Sequence, residues 1–206
     1  MAEQTGIAWC DSTFNPWIGC TNVSPGCDHC YAETQDARGR WDGGTRHWGA
    51  GIPRYRTSAA NWRQPLAWNR TQYRSEQSYS KREPWRVFCG SLCDVFDNEA
   101  PHVWRHDLWK LILNTPALTW LILTKRIGNV EKMWPVMMES APPNVWLGAS
   151  VVNQQEANRD IPRLLAVPAS KHFVSYEPAL EGVDFRPWLK PGFTRRLSWV
   201  IVGGES

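Results

Sequence analysis

After residue 84 the chain alternates between short, continuous apolar runs and longer segments with helical periodicity, and this alternation constrains the fold most strongly. The apolar runs predict β-strands. Because they do not alternate between apolar and polar residues, they are typical of strands buried on both faces of a parallel sheet. Parallel strands need crossover connections, which the intervening segments supply as helices. Strands are predicted at 86–89, 119–123, 144–149, 171–175 and 197–202.

A sixth strand is predicted at 13–19, and helices are predicted at 31–38, 101–114, 129–138 and 153–167. Right-handed crossovers between these strands predict an α/β fold. Because a full (β/α)8 barrel needs about 250 residues, the 206 residues of this chain favour a six-stranded partial (β/α)6 TIM-like barrel. We expect a single domain over 1–206, with an arginine- and tryptophan-rich insertion at about 40–84. Since the chain stops at Ser206 directly after a predicted strand, we also expect the native chain to continue beyond it.

A cysteine-rich loop follows the predicted first strand. Cys20, Cys27 and Cys30 have the spacing C-x6-C-x2-C. Three thiolates can hold a [4Fe–4S] cluster with one iron open to a ligand, whereas four thiolates normally close a structural site. Two alternatives remain open: in one, Cys10 completes a four-cysteine zinc site; in the other, two of the thiols form a disulfide.

Polar residues gather where the predicted strands end. In parallel α/β folds the carboxyl ends of the strands form the active-site face. A purely structural chain has no need for Ser, Lys, Arg and Glu at successive strand ends, so we predict a binding or catalytic site there. The segments are 90–91, 124–126, 150, 175–178 and 203–206.

The segment from residue 38 to residue 74 carries eight arginines and a single acidic residue, Asp42. Tryptophan and tyrosine residues are interleaved with the arginines. This combination suits phosphate contacts and base stacking, which makes a nucleic acid a candidate partner. The alternative is an arginine-covered surface that packs over tryptophan faces through cation–π contacts.

No apolar run approaches the about 20 residues that a membrane-spanning helix needs. The first residues also lack the basic and apolar regions of a signal peptide. We therefore expect a cytoplasmic protein with no membrane partner. In that compartment the six cysteines stay reduced, which favours metal binding over disulfides.

Distinctive motifs occur along nearly the whole chain, at 15–20, 27–32, 90–91, 94–96, 123–126, 146–148, 175–178 and 199–206. In these motifs the chain resembles a bacteriophage- and mobile-element-associated family of unknown function with a three-cysteine loop. A cysteine loop after the first strand of a partial barrel also resembles the radical S-adenosylmethionine (SAM) superfamily. The usual spacing in that superfamily is C-x3-C-x2-C, with an aromatic residue before the last cysteine. Here the first gap has six residues, and His29 takes the aromatic position.

The resemblance implies that Cys20, Cys27 and Cys30 ligate three irons of a [4Fe–4S] cluster and that the fourth iron binds SAM. An electron from the cluster then cleaves SAM and releases a 5′-deoxyadenosyl radical, which abstracts hydrogen from a substrate. The substrate is not identified, although a nucleic acid or a nucleotide is a candidate. A flavodoxin- or ferredoxin-like reductant is implied as a partner.

Further residues receive roles through the same resemblance. Lys125 is a candidate catalytic residue that binds the SAM carboxylate or a substrate phosphate, and Glu177 is a candidate anchor or proton-transfer group. Candidate cofactor contacts are His29, Gly90, Ser91, Arg126, Ser150, Asn153 and Glu205. The alternative function is a zinc- or cluster-stabilised nucleic-acid-binding protein without catalysis.

Overall fold

The structure is a computed structural model that describes residues 5–42, 44–77, 84–134, 142–189 and 195–204. Its strands are β1 Ser12–Phe14, β2 Trp17–Ile18, β3 Tyr55–Arg56, β4 Trp85–Cys89, β5 Leu118–Thr124, β6 Val145–Ser150, β7 Lys171–Tyr176 and β8 Leu197–Val202. Its α-helices are α1 Tyr31–Ala37, α2 Ala59–Gln77, α3 His102–Leu113, α4 Ile127–Met133, α5 Gln154–Ala166 and α6 Arg186–Leu189.

Six strands form the main sheet in the order β1-β4-β5-β6-β7-β8. Every neighbouring pair is parallel, and helices lie between successive strands along the chain. The predicted α/β fold with a six-stranded parallel sheet is therefore confirmed. Since all six strands run in the same direction, their carboxyl ends lie along one edge of the sheet.

The prediction of one continuous strand at 13–19 is wrong. β1 joins the main sheet beside β4, whereas β2 pairs antiparallel with β3 in a separate two-stranded sheet. Pro16 lies between β1 and β2, and a proline has no N–H to donate to a strand ladder. Thr57 donates instead to the carbonyls of Asn15 and Pro16. The chain thus leaves the main sheet after Phe14, and the cysteine loop follows β2.

Much of the segment predicted as an insertion is α2, a helix that the sequence analysis did not predict. Trp62, Leu66 and Trp68 of this helix pack against the main core. The Asn69 side chain accepts a hydrogen bond of 2.9 Å from the backbone N–H of Ala117, just before β5. The helix therefore covers the sheet in the connection from β1 to β4.

The other predicted helices agree in position with α1, α3, α4 and α5. The end of the predicted helix at 129–138 lies outside the described residues, as does Glu205. In the described parts of the chain, no helix combines the length and apolarity that a membrane crossing requires.

Each face of the main sheet has its own apolar core. The larger core lies on the face covered by helices and includes Val87, Trp120 and Leu147. The smaller core lies on the opposite face and contains five buried residues together with Ile7, Trp9, Leu123, Trp146 and Trp199. Those five are Cys10, Phe88, Leu121, Phe173 and Ile201. The residues before β1 thus cover the face that the helices leave open.

Gly148 makes this smaller core sensitive to added volume. A Cβ atom at Gly148 would lie 2.4 Å from the ring of Phe173, which is fully buried. Overpacking of this kind typically costs about 1–3 kcal/mol, so we expect Gly148→Ala to lower the free energy of unfolding by about that amount in urea denaturation. Gly182→Ala is the matched control, because its new methyl group meets nothing within 4 Å. Equal stability of the two variants would contradict this packing.

Candidate active site

A cavity of about 550 Å³ lies at the carboxyl ends of the strands, within the size range of small-molecule sites. Its wall contains the cysteine loop and residues at or just after the carboxyl ends of β4, β5, β6, β7 and β8. The structure thus brings together most of the side chains predicted for the site. These are Cys20, Cys27, His29, Cys30, Gly90, Ser91, Lys125, Arg126, Ser150 and Glu177.

The cysteine loop is held at its start by backbone contacts. Gly19, with φ +110°, donates its N–H to the carbonyl of Leu92 at 3.0 Å. A Cβ atom there would lie 2.3 Å from the carbonyl oxygen of His47, so only glycine fits this close approach. The Cys20 carbonyl in turn accepts from Gly49 N at 2.9 Å. The position of Cys20 is therefore set by backbone on both sides.

The remainder of the loop turns through a short 3-10 segment, Pro25–Cys27, in which the Ser24 hydroxyl accepts from the N–H of Gly26. Cys30 then occupies the N-cap position of α1. Cys27 is buried, while Cys20 and Cys30 are partly exposed, and all three are free thiols. The loop therefore presents three thiols to one cavity.

The Cys20 thiol is protonated at neutral pH in the absence of a metal. Burial, followed by the nearby Asp94 carboxylate, raises the pKa of Cys20 to about 12, although Arg126 acts in the opposite direction. A metal that binds here must therefore displace the proton of Cys20, so metal binding is expected to release protons.

The three thiols are not assembled as a site for a single ion. Within the described parts of the chain, no group of three or more His, Cys, Asp or Glu side chains is arranged to hold a metal ion. Cys10, the proposed fourth zinc ligand, packs in the smaller core beside Phe88 and does not line the cavity. Cysteine thiolates are the ligands that [4Fe–4S] clusters use, so the three thiols that line this cavity have the chemistry that such a cluster requires.

Arg126 points at the first cysteine of the loop. Its Nη1 donates to Cys20 Sγ at 3.1 Å, and its Nη2 donates to the Thr21 carbonyl at 2.5 Å. Asp94 Oδ2 lies 3.4 Å from the same Nη1. Burial by itself lowers the pKa of Arg126, but Asp94, Cys20 and Asp97 outweigh burial, so its pKa is raised and the guanidinium stays charged. Its hydrogen-bond donors are thus directed to the loop and to Asp94, while Asp97 lies 4.0 Å away.

Arg54, one of the eight arginines of segment 38–74, is buried and supports the loop. Its Nε donates to Asp97 at 2.7 Å, and one terminal nitrogen donates to Glu99 at 2.9 Å and to the Thr21 hydroxyl at 2.7 Å. The other donates to three carbonyls between residues 47 and 52. Thr21, directly after Cys20, is therefore held by two guanidinium groups.

Lys125 and Glu177 face the cavity and are not paired with each other. Lys125 Nζ donates to the Ser150 hydroxyl at 2.9 Å, and no ion pair with Lys125 occurs among the described residues. Glu177 Oε2 accepts from the Ser175 hydroxyl at 3.0 Å. The cavity therefore has a cationic group and a carboxylate, each of which is hydrogen-bonded to a hydroxyl.

The strand-end residues after β4 are largely occupied by protein contacts. The Ser91 carbonyl accepts from the Tyr31 hydroxyl at 2.6 Å, and its own hydroxyl contacts the Asn15 side chain at 2.9 Å. Asp94 lines the cavity and accepts from the Thr124 hydroxyl at 2.8 Å and from the N–H of Lys125 at 3.0 Å. The residues after β4 that line the cavity are therefore held in place by hydrogen bonds within the protein.

Two predicted cofactor contacts are not part of the described cavity. Asn153 caps α5, where its side-chain oxygen accepts from the N–H of Glu156 at 2.8 Å, and it does not line the cavity. Glu205 lies outside the described residues. Conversely, Trp9 and Trp48 line the cavity, although neither was predicted to do so. Cys93 also lines it, as a buried thiol whose pKa is raised by burial.

Comparison with known proteins gives a family and no function. No curated protein and no solved structure matches the chain. One family model, described as a protein of unknown function (DUF5131), matches residues 4–206. The chain therefore belongs to the DUF5131 family of unknown function.

Proposed function

We propose that the protein is a radical SAM-type enzyme that holds a [4Fe–4S] cluster on Cys20, Cys27 and Cys30. The observation that carries this proposal is that the three thiols line one cavity with polar residues from successive strand ends. When bound, such a cluster supplies the electron that cleaves SAM into methionine and a 5′-deoxyadenosyl radical. The protein supplies binding, orientation and exclusion of water.

The sheet topology supports a partial barrel. The strands from β4 to β8 are neighbours in chain order, so each crossover adds the next strand to the same edge of the growing sheet. The face opposite the helices carries its own core of large side chains, among them Phe173 and Trp199. A sheet that curves around such a core is the arrangement expected of a (β/α)6 TIM-like barrel. We propose this curvature as the finer description of the fold.

Lys125 is suited to bind an anionic group of the ligand. Its ammonium group contacts only the Ser150 hydroxyl among its described side-chain partners, and its stem passes close to the cysteine loop, 3.6 Å from a Cβ built on Gly26. A carboxylate of SAM held beside the loop would accept a charge-assisted hydrogen bond from it. Lys125 is thus the proposed carboxylate contact.

Glu177 is suited to bind the cationic part of the same ligand. Its carboxylate lines the cavity and keeps acceptor capacity beyond the hydrogen bond from Ser175. SAM carries an ammonium and a sulfonium group, and both favour a carboxylate nearby. Trp9, Tyr31 and Phe88 contribute aromatic surface to the wall, which would exclude water from a reactive radical.

Lys125→Met tests the carboxylate contact. Hydrogen bonds to charged groups contribute about 1.5–3 kcal/mol, so the dissociation constant for SAM is expected to rise roughly 10- to 100-fold. The measurement is equilibrium dialysis with labelled SAM on anaerobically reconstituted protein. Lys110→Met is the matched control, because Lys110 is exposed on α3 and away from the cavity. Equal SAM affinity of the two variants would reject the assignment of Lys125.

The proposed reaction consumes one electron for each SAM that is cleaved. We propose a flavodoxin- or ferredoxin-like donor, since both deliver single electrons at low potential. Such donors and oxygen-sensitive clusters are typical of the cytoplasm, which we propose as the location of this protein.

A nucleic-acid-binding protein without catalysis is the second candidate function, and α2 carries the observation that favours it. Arg63, Arg70 and Arg74 are exposed, and at helical spacing they lie on one face of α2. Among the described residues, none of the three forms an ion pair, whereas Arg54 and Arg56 pair with acids. This arginine face spans roughly 16 Å at 1.5 Å per residue and suits contacts to successive phosphates.

Changing the three arginines of this face to glutamine tests the second candidate. Binding of a labelled single-stranded oligonucleotide is followed by fluorescence anisotropy over a range of salt concentrations. Since each phosphate contact on a single strand contributes about 0.7 to the slope of log Kobs against log salt, the slope is expected to fall by about 2. A control triple variant at Arg86, Arg163 and Arg186 should keep the wild-type slope. If the slope is unchanged in both variants, the α2 arginines do not contact nucleic acid and the second candidate function is rejected.

A further inference from the structure

The Arg126 guanidinium is fixed in place by the protein before any ligand arrives. Its side chain is 7% exposed, and it lies 3.4 Å from Asp94 and 4.0 Å from Asp97. Both carboxylates are themselves held: Asp94 accepts from the Thr124 hydroxyl, and Asp97 accepts from Arg54. Because these acids restrain it, the guanidinium cannot turn freely toward a ligand.

Arg126 lines the cavity, but its fixed orientation directs its hydrogen-bond donors at the loop. Nη1 donates to Cys20 Sγ, and Nη2 donates to the Thr21 carbonyl. This pair of contacts uses the planar fork of the guanidinium, which a lysine ammonium cannot reproduce. Lys125 differs, because its ammonium group donates to the Ser150 hydroxyl and can also donate to a ligand. The role expected from the sequence, contact with SAM or a phosphate, is therefore better assigned to Lys125 alone.

We propose that Arg126 is a positioning residue for Cys20 that raises the reduction potential of the cluster. This inference rests on the proposed function. Reduction adds one negative charge to the unit formed by the cluster and its thiolates. Hydrogen bonds to the sulfurs and nearby positive charge stabilise that added charge, and both are recognised determinants of cluster potential. The donor–sulfur distance of 3.1 Å makes Arg126 the cation in direct contact with a ligand sulfur.

The test is a redox titration of anaerobically reconstituted protein, with dithionite as the reductant and the electron paramagnetic resonance of the reduced cluster as the signal. At the potential where the wild-type cluster is half reduced, we expect Arg126→Met to show a reduced-to-oxidised ratio at least tenfold lower. That ratio corresponds to about 59 mV for a one-electron couple. Arg126→Lys, which keeps the charge but loses the fork, should lie between Arg126→Met and the wild type. Arg163→Met, an exposed arginine on α5 outside the cavity, is the control and should match the wild type.

The outcomes separate this inference from the function on which it rests. If the wild type takes up no cluster, the proposed function fails and the role of Arg126 fails with it. If all proteins carry equal iron and Arg126→Met titrates within twofold of the wild type, only the role of Arg126 is overturned. If Arg126→Met loses iron, the reduction potential of Arg126→Lys is measured by the same titration. A potential equal to that of the wild type would overturn the proposed role of Arg126. Loss of iron from both variants at unchanged stability would show that Arg126 only holds the loop. That result would also overturn the proposed effect of Arg126 on the reduction potential.

Discussion

Replacing Arg54 with methionine is expected to lower the free energy of unfolding by about 3–5 kcal/mol, as is typical when one partner of a buried ion pair is removed. The Arg54 side chain is fully buried, and its partner Asp97 is 2% exposed. Without the guanidinium, the buried Asp97 carboxylate would lose its 2.7 Å hydrogen bond and keep only Arg126 at 4.0 Å. The carbonyls that accept from Arg54 would also lose these hydrogen bonds. Urea denaturation followed by tryptophan fluorescence measures the loss.

Arg56→Met is the matched control for this prediction. Arg56 pairs with Asp107 at 2.8 Å, but both side chains are about one third exposed. Exposed pairs contribute roughly 0–1 kcal/mol, and the stacking of Arg56 over Trp62 adds a contribution of similar size. A smaller loss is therefore expected for Arg56→Met. Equal losses in the two variants would show that the network around Arg54 does not stabilise the fold as described.

Single alanine substitutions of Cys20, Cys27 and Cys30 are each expected to abolish stable incorporation of iron. A cubane that is held by three thiolates already leaves one iron without a protein ligand, so the loss of another thiolate leaves two such irons. The measurement is iron and sulfide content per chain after anaerobic reconstitution and desalting.

Cys10→Ala and Cys89→Ala are the controls, because both thiols lie in apolar cores and neither lines the cavity. They should keep the wild-type iron content. Loss of metal in Cys10→Ala, together with zinc in place of iron in the wild type, would contradict the cluster and restore the four-cysteine alternative.

The part of the fold after residue 84 could be predicted because each strand is a continuous apolar run bounded by polar residues. The short length of each run favours a buried strand over a buried helix. The helix α2 could not be predicted, because Pro65 lies inside it and its apolar and polar residues are poorly separated. Pro16 indicates the break between β1 and β2. The pairing of β2 could not be predicted, because its partner β3 lies far along the chain.

The location of the site could be predicted because parallel strands bring their carboxyl ends together, whatever the details of the side chains. Individual roles were harder to predict. Asn153 with Glu156 has the spacing of a helix cap, and this local signal would have removed Asn153 from the cofactor contacts. Arg126 is different, because its direction depends on Asp94 and Asp97 from another strand end. Sequence order alone does not show which of two adjacent cations is held by carboxylates.

The central claim is that the three cysteines hold a cluster with an iron open to SAM. Electron paramagnetic resonance of anaerobically reconstituted, dithionite-reduced protein, recorded with and without SAM, tests it most directly. We predict the signal of a reduced [4Fe–4S] cluster whose shape changes when SAM is added. The absence of iron, or a cluster signal that is identical with and without SAM, would contradict the account.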